Sequence, residues 1–243
     1  MLGKARLILE VLGAANTDLG LNELARRSGV PKATVHRLAG ELVDWGVLER
    51  AERGYRLGAR LFALGQRVPQ HRIFREAALP FMEDLFYTAQ ESVYLCVRAD
   101  LELLQIERFL GHRGVSSARV PNRSPLHSSA SGKALLAYSD AEVIERTAAA
   151  RLRPRTKFTI TDPARLRAQL RAVYETGYAS EREEQAIGYG AVAAPVFAGK
   201  DQLAGAMSIV APADRFDTHR LASALLPATR ALGRVLRDAN PLA

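Results

Sequence analysis

Residues 21–38 constrain this chain more than any other stretch, because they hold two helical patterns separated only by Gly29, Val30 and Pro31. Leu21, Leu24 and Ala25 form the apolar stripe of the first pattern, Glu23 sits in its positive first turn, and Gly29 stands where a helix stops. Proline fixes φ and is tolerated only at the start of the helix that follows, so the chain must turn tightly and resume at once. The second pattern covers 31–44: Val35, Leu38 and Leu42 face inward, Gly46 closes it, and Lys32, Ala33, His36 and Arg37 turn away. Upstream, Leu2, Ala5, Leu9 and Leu12 predict a helix over 2–15 that ends in Asn16, Thr17 and Asp18. Downstream, 47–50 and 55–57 read as short strands about Glu52, Arg53 and Gly54.

Three helices and a small hairpin with an arginine near its tip make a winged helix-turn-helix. In such a module the second helix of the pair presents short polar and basic side chains at its N-terminal end, where they reach base edges in the major groove. Lys32, Thr34, His36 and Arg37 meet that need, with Ala33 among them. Arg37 suits a guanine edge, Lys32 and Thr34 beside the helix N-terminus suit phosphate, and Arg53 on the wing suits the adjacent backbone or minor groove. The bland alternative is a three-helix module whose basic residues merely solvate it. Trp45 reads as a helix-end packing residue rather than a base-stacking one.

Charge agrees with the sharper reading. The net charge is +8 over 243 residues. Residues 1–67 carry eleven Lys and Arg against seven Asp and Glu, so half the excess lies in little more than a quarter of the chain. A hydrophobic content of 48% excludes intrinsic disorder. A single cysteine, Cys96, excludes a disulfide framework and, set among Val93, Tyr94, Leu95 and Val97, predicts a buried thiol in a reducing compartment. No apolar run approaches the roughly 20 residues that span a bilayer, and no cleavage site follows the first apolar segment, so a soluble cytoplasmic protein without membrane partners is expected.

The second half mixes element types. A linker helix is expected over 58–66, a break at Pro69 and a longer helix over 73–90, which places domains at 1–58 and 71–243 with a linker at 59–70. Apolar and β-forming runs at 93–97 and 103–109 predict one hairpin, and 191–197 with 203–210 another, about Gly199, Lys200 and Asp201. Helices are expected over 129–137, 142–149, 163–176 and 217–237. Hairpins with interspersed helices give a mainly antiparallel α+β domain.

The run Leu21-Asn22-Glu23-Leu24-Ala25-Arg26-Arg27-Ser28-Gly29-Val30-Pro31-Lys32-Ala33-Thr34-Val35-His36-Arg37-Leu38, with Tyr55-Arg56-Leu57-Gly58, resembles the DNA-binding half of the IclR family of bacterial transcriptional regulators. The resemblance continues through Leu126-His127-Ser128-Ser129-Ala130-Ser131-Gly132-Lys133-Ala134-Leu135-Leu136-Ala137. It extends to Phe158-Thr159-Ile160-Thr161-Asp162, which is similar to a threonine-rich strand, to Gly177-Tyr178-Ala179 with Glu183, Glu184 and Gly188, and to the last hairpin. It implies a GAF-like effector domain whose curved antiparallel sheet, flanked by helices, holds a small molecule, and a homodimer or dimer of dimers acting on double-stranded operator DNA, more often as a repressor. Carried over by position, the effector pocket is expected at Ala130, Ser131, Tyr189, Ala191, Ser208 and Val210. Backbone N–H groups at the Ser131 helix start and the Ser208 hydroxyl suit the carboxylate of an organic acid. Ala191 and Val210 stand where some members carry Cys and Ser, which favours a partly apolar or aromatic acid; as core residues they would be equally ordinary.

Other chemistries fit poorly. Ser131-Gly132-Lys133 lacks the first glycine and the final hydroxyl of a phosphate-binding loop, and Gly188-Tyr189-Gly190 lacks the third glycine of a dinucleotide fingerprint. A small-molecule sensor or hydrolase-like enzyme with an incidental basic helix would recruit His127, Ser128 or Ser131, and Glu183 or Glu184, yet no Gly-x-Ser-x-Gly elbow supports it and His127 reads as a hydrogen-bonded loop residue. No catalytic residue, metal or cofactor is expected. His112 and Arg113 are candidates for a pair at the pocket mouth, and Glu183-Glu184 reads as a helix start or a solvated pair.

Overall fold

The computed structural model describes residues 1–15, 17–111, 122–199 and 202–239; His112, Arg113, Lys200 and Asp201 lie outside them. The chain forms two units, Met1–Arg72 and Ile73–Ala243. Among the described residues no helix is long and apolar enough to cross a membrane.

The first unit runs α1 Leu2–Ala14, α2 Leu21–Ser28, α3 Lys32–Asp44, an antiparallel hairpin of β1 Leu48–Ala51 and β2 Gly54–Leu57, and α4 Ala59–Gly65. Its core joins Ile8 and Leu12 of α1, Leu24 of α2, Val35, Leu38, Ala39 and Leu42 of α3, and Tyr55 of the wing. α2 ends at Gly29 in the left-handed region, and Pro31 opens α3. The stripe on α1 differs from the expected one: Ile8 is buried, whereas Leu2 is 88% exposed. Periodicity locates an apolar face but not where a helix outruns its core, and the first turn of α1 does so. The wing is stitched to the α1–α2 connection by Leu19 N–H to Tyr55 O at 3.0 Å and Tyr55 N–H to Leu19 O at 2.9 Å. Gly54 makes that approach possible: its φ is +133°, and a Cβ there would lie 2.2 Å from Leu19 O.

The second unit is α+β. Its six strands are β3 Ser92–Ala99, β4 Glu102–Phe109, β5 Arg123–Pro125, β6 Ala179–Arg182, β7 Tyr189–Phe197 and β8 Leu203–Pro212, in the antiparallel order β5-β4-β3-β8-β7-β6. Bulges at Leu95/Cys96 and Val196/Phe197 bend the sheet. Period-two alternation divides its faces. Val93, Leu95, Val97, Val192, Met207 and Ile209 pack under α5 Pro69–Ala89 and α9 Thr218–Ala239; Tyr94, Cys96, Ala191, Ala193 and Ala206 face α6 Ala130–Ala137 and α8 Pro163–Thr176, with α7 Ala141–Ala149 packed on α8.

Two expectations fail here. Pro69 begins α5 instead of breaking the chain before it, because the first helical turn needs no N–H from its proline. Residues 158–162 form no strand. The threonine hydroxyls nearby bond to backbone instead: Thr159 Oγ1 accepts from the N–H groups of Arg155 and Thr156 and donates to Glu184 O, and Thr156 Oγ1 donates to Glu183 O at 2.6 Å. Such local bonds compete with a sheet ladder.

Candidate functional site

The first unit presents one polar face on α3. Lys32, Ala33, His36 and Arg37 are exposed, Thr34 is half-buried, and Arg53 is exposed at the wing turn. Pro31 offers no side-chain cap to α3, so the N–H groups of the first turn stay available to an anion. Arg37 pairs with Glu41 one turn on, and its Nη2 lies 2.8 Å from Met1 Sδ. An exposed i,i+4 pair contributes only about 0.3–0.5 kcal/mol, so Glu41 holds the guanidinium loosely enough to yield it to a stronger acceptor. Other basic residues of the unit have partners too: Arg26 and Arg27 converge on Glu23 and hold its carboxyl down to about 2, Arg56 meets Glu49, and the Arg50 guanidinium lies 5.6 Å from the Tyr55 ring centre. Trp45 does not pack as expected. It is 53% exposed, because the chain turns away at Gly46 immediately after α3 ends.

The second unit contains a cavity of about 40 Å³ on the α6 face of the sheet, little more than one water's share of liquid volume. Ala130, Ser131, Tyr189, Ala191, Ser208 and Val210 all line it. Strand register explains the convergence, since Glu181, Ala191 and Val210 are successive cross-strand neighbours, as are Ala193, Ser208 and Tyr94. Ser129 caps α6 by accepting from Gly132 N–H at 3.1 Å. Gly132 lets the preceding turn press against the helix: a Cβ there would lie 2.2 Å from Leu126 O. The N–H groups of Ala130 and Ser131 then lack an intrahelical acceptor at the cavity wall. The Ser131 hydroxyl lies against the Cys96 thiol, which burial pushes up to about 12, so this cysteine is an unreactive wall.

Tyr94, Gln105, Ser124, Glu181 and Gln185 also line the cavity and were not singled out from the sequence, and Cys96, expected only as a buried thiol, joins them. Alternation along the neighbouring strands could have found Tyr94 and Gln105 once the pairing was known; nothing local marks Glu181.

Behind the cavity lies a buried ionic cluster that reverses the reading of Glu183-Glu184 as a helix start or solvated pair. Lys133 is 0% exposed, and its Nζ donates to Glu184 Oε1 at 2.7 Å, Gln169 Oε1 at 2.7 Å and Ser180 O at 3.3 Å, which uses all three donors. Glu184 is 6% exposed, and Glu183 sits at φ 61° with its carboxylate accepting from Gly188 N–H. Glu181 accepts from the N–H groups of Glu184 and Gln185. Burial pushes its carboxyl up to about 7, against the opposing pull of those N–H groups and of Lys133. His127 is buried with Nε2 3.1 Å from Arg153 O, and burial lowers its pKa. Ser128 donates to Gln185 Oε1 at 2.8 Å, so His127 and Ser128 are bonded to other groups rather than to each other.

Comparison with known proteins addresses both units. Residues 2–52 match the model of the IclR helix-turn-helix domain, and residues 66–236 match that of the bacterial transcriptional regulator IclR C-terminal domain. The chain is 32% identical over 207 residues to the HTH-type transcriptional regulator KipR of Bacillus subtilis, covering 84% of this chain and 83% of that one. It is 29% identical over 220 residues to the transcriptional repressor IclR of Escherichia coli, covering 88% and 80%. Among solved structures, an IclR homolog from Microbacterium hydrocarbonoxydans complexed with 4-hydroxybenzoate superposes with a TM-score of 0.88 at 32% identity, covering 98% of this chain and 99% of that one.

Proposed function

This chain belongs to the IclR family and is a DNA-binding transcriptional regulator, and we propose that it is a cytoplasmic repressor of a catabolic operon, released or recruited by a small, partly apolar or aromatic organic acid. The observation that carries this reading is the gathering of Ala130, Ser131, Tyr189, Ala191, Ser208 and Val210 on one cavity whose wall includes open N–H groups of α6. Those groups and the Ser208 hydroxyl receive the carboxylate; Ala191 and Val210 pack on the apolar body. The complex of the Microbacterium relative with 4-hydroxybenzoate supports this ligand class. A cavity of about 40 Å³ must widen to admit such a molecule, so binding favours the arrangement of the effector domain in which it is wider. Residues 59–70 act as the linker that passes this preference to winged helices paired in a homodimer or dimer of dimers.

On DNA, Lys32 and Thr34 hold phosphate at the α3 N-terminus, Arg37 reads a base edge with Ala33 and His36 against the groove, and Arg53 follows the backbone from the wing. Arg37→Ala is expected to weaken binding to a fragment from the chain's own upstream region by about 1–3 kcal/mol while nearly sparing random DNA. Gel retardation at fixed salt decides it, and equal losses on both DNAs would remove the base-reading role.

Glu181 gives the pocket a pH dependence. With its carboxyl near 7, it is protonated at pH 6 and ionised at pH 8, where it repels a bound carboxylate; Lys133 and the N–H groups of Glu184 and Gln185 oppose that repulsion, and Glu184 adds to it. Benzoate is ionised throughout this range. Its affinity is therefore expected to fall by roughly tenfold from pH 6 to pH 8 in calorimetry, and Glu181→Gln to flatten the profile. A profile unchanged by Glu181→Gln would place the titration elsewhere.

A further inference from the structure

Residues 1–67 account for only half of the net charge of +8, and part of the remainder gathers at one place in the second unit. Arg230, Arg234 and Arg237 stand at i, i+4 and i+7 on α9, which sets them on one face along about 10 Å of helix. They line a cleft of about 330 Å³ where α9, the end of β7 and the C-terminal ends of α6 and α8 meet. Small-molecule sites begin at roughly this size. No described residue on its wall is acidic.

Ordinary roles do not account for the stripe. Elsewhere in the unit exposed arginines meet carboxylates, as Arg146 meets Asp100 and Arg167 meets Glu145. Among the described residues, Arg230, Arg234 and Arg237 have neither a carboxylate nor a carbonyl partner, although α6 and α8 end at the same cleft, beside Tyr138 and Gly177. Like charges one turn apart repel. The helix C-terminus favours Arg237 in the last turn of α9, but its pull falls off before Arg234 and Arg230. Three guanidiniums on a concave wall form a receptor for an anion, since each presents a planar fork that matches phosphate oxygens.

The opposite wall is aromatic. Tyr138 and Phe197 meet edge to face with ring centres 5.2 Å apart, and Tyr174 backs Tyr138 at 5.2 Å. Gly233 lets α9 approach the strand end: a Cβ there would lie 2.7 Å from Phe197 O, so arginines and rings share one narrow cleft. A monocarboxylate would neutralise one arginine and leave the others facing each other. A chain of phosphates follows the whole stripe, and a flat apolar body attached to it meets the rings.

We propose that this cleft is a ligand site separate from the cavity on the α6 face, and that it takes a ring-bearing polyphosphate of the nucleoside triphosphate class. The phosphates lie along Arg230, Arg234 and Arg237, and the ring lies against Tyr138 and Phe197. The two sites share no lining residue.

Calorimetry on the full chain with ATP and with pyrophosphate, without added metal, tests it. ATP is expected to bind at least about threefold more tightly than pyrophosphate, and both to weaken as salt rises. In Arg230→Gln/Arg234→Gln the ATP affinity is expected to fall by at least about tenfold, and by less in Arg230→Lys/Arg234→Lys, which keeps the charge without the fork. Tyr138→Leu is expected to weaken ATP by about threefold and to leave pyrophosphate unchanged. The glutamine variant relieves repulsion between exposed charges, so it is expected to melt at the native temperature or slightly above, which separates lost binding from lost folding. The winged helix is also basic, and Arg37→Ala is therefore the control, expected to bind ATP as the native chain does. Failure of both compounds to bind, equal affinity for the two, an ATP affinity that survives the glutamine variant, or one that falls instead in Arg37→Ala would overturn the proposal.

Discussion

Lys133→Ala is expected to lower the unfolding free energy of the 73–243 unit by about 3–5 kcal/mol, because it strands Glu184 as an unpaired charge in the interior. The lysine is wholly buried, and its three bonds reach three separate places: Gln169 on α8, Ser180 on β6 and Glu184 in the β6–β7 connection. Removing it leaves a cavity as well as a charge. The comparison with Lys133→Met/Glu184→Leu is the informative one. A well-packed apolar pair of similar volume often matches a buried ion pair in stability, so the double variant is expected to recover most of the loss. Urea unfolding monitored by circular dichroism provides the cycle. A loss near 1 kcal/mol for Lys133→Ala would mean that Glu184 reaches water, contrary to its burial. The double variant carries a second expectation: the connection that brings Gln185 and Ala186 to the cavity loses its tether to α6, so effector affinity is expected to weaken even where stability is restored.

Ser208→Trp is expected to abolish the response to effector while leaving operator affinity within about twofold of the native chain. Ser208 is 2% exposed and lies between Tyr94 and Ala193 in the sheet, facing a cavity far smaller than an indole. The indole would occupy the ligand's place. The test is anisotropy of labelled operator DNA as 4-hydroxybenzoate is added to the variant; a full response would put the effector elsewhere. A milder companion, Ser208→Ala, removes one donor and is expected to cost about three- to tenfold in effector affinity.

The helix-turn-helix was legible because its determinants are local: the Gly29 stop, the Pro31 start and the Val35, Leu38, Leu42 stripe are all read within one or two helical turns. The two hairpins were legible for the same reason, through alternating β-formers about short turns. The edge strands β5 and β6 were not, since Arg123–Pro125 and Ala179–Arg182 are too short to show a period and are set by pairing with β4 and β7. The buried Lys133 was hidden more deeply. On a helix pattern a lysine reads as solvated, and only the placement of α6 between α8 and the β6–β7 connection gives it three acceptors. Leu2 erred in the opposite direction, apolar in sequence yet exposed on a helix that outruns its core. In the cavity, the carried-over positions came from resemblance rather than from residue chemistry. Tyr94 and Gln105 became visible only when register placed them on the face of the sheet that lines the cavity.

In the proposed function, one chain couples a sequence-reading winged helix to a pocket for an aromatic acid. Anisotropy of a labelled upstream fragment and of a random fragment, titrated with the full chain at several salt concentrations with and without 4-hydroxybenzoate, tests it most directly. Binding to the upstream fragment is expected to be tighter by at least about a thousandfold, to weaken steeply as salt rises, and to shift by about fivefold or more for the upstream fragment alone when the acid is present. Equal affinity for the two fragments, or an upstream affinity indifferent to the acid, would contradict it.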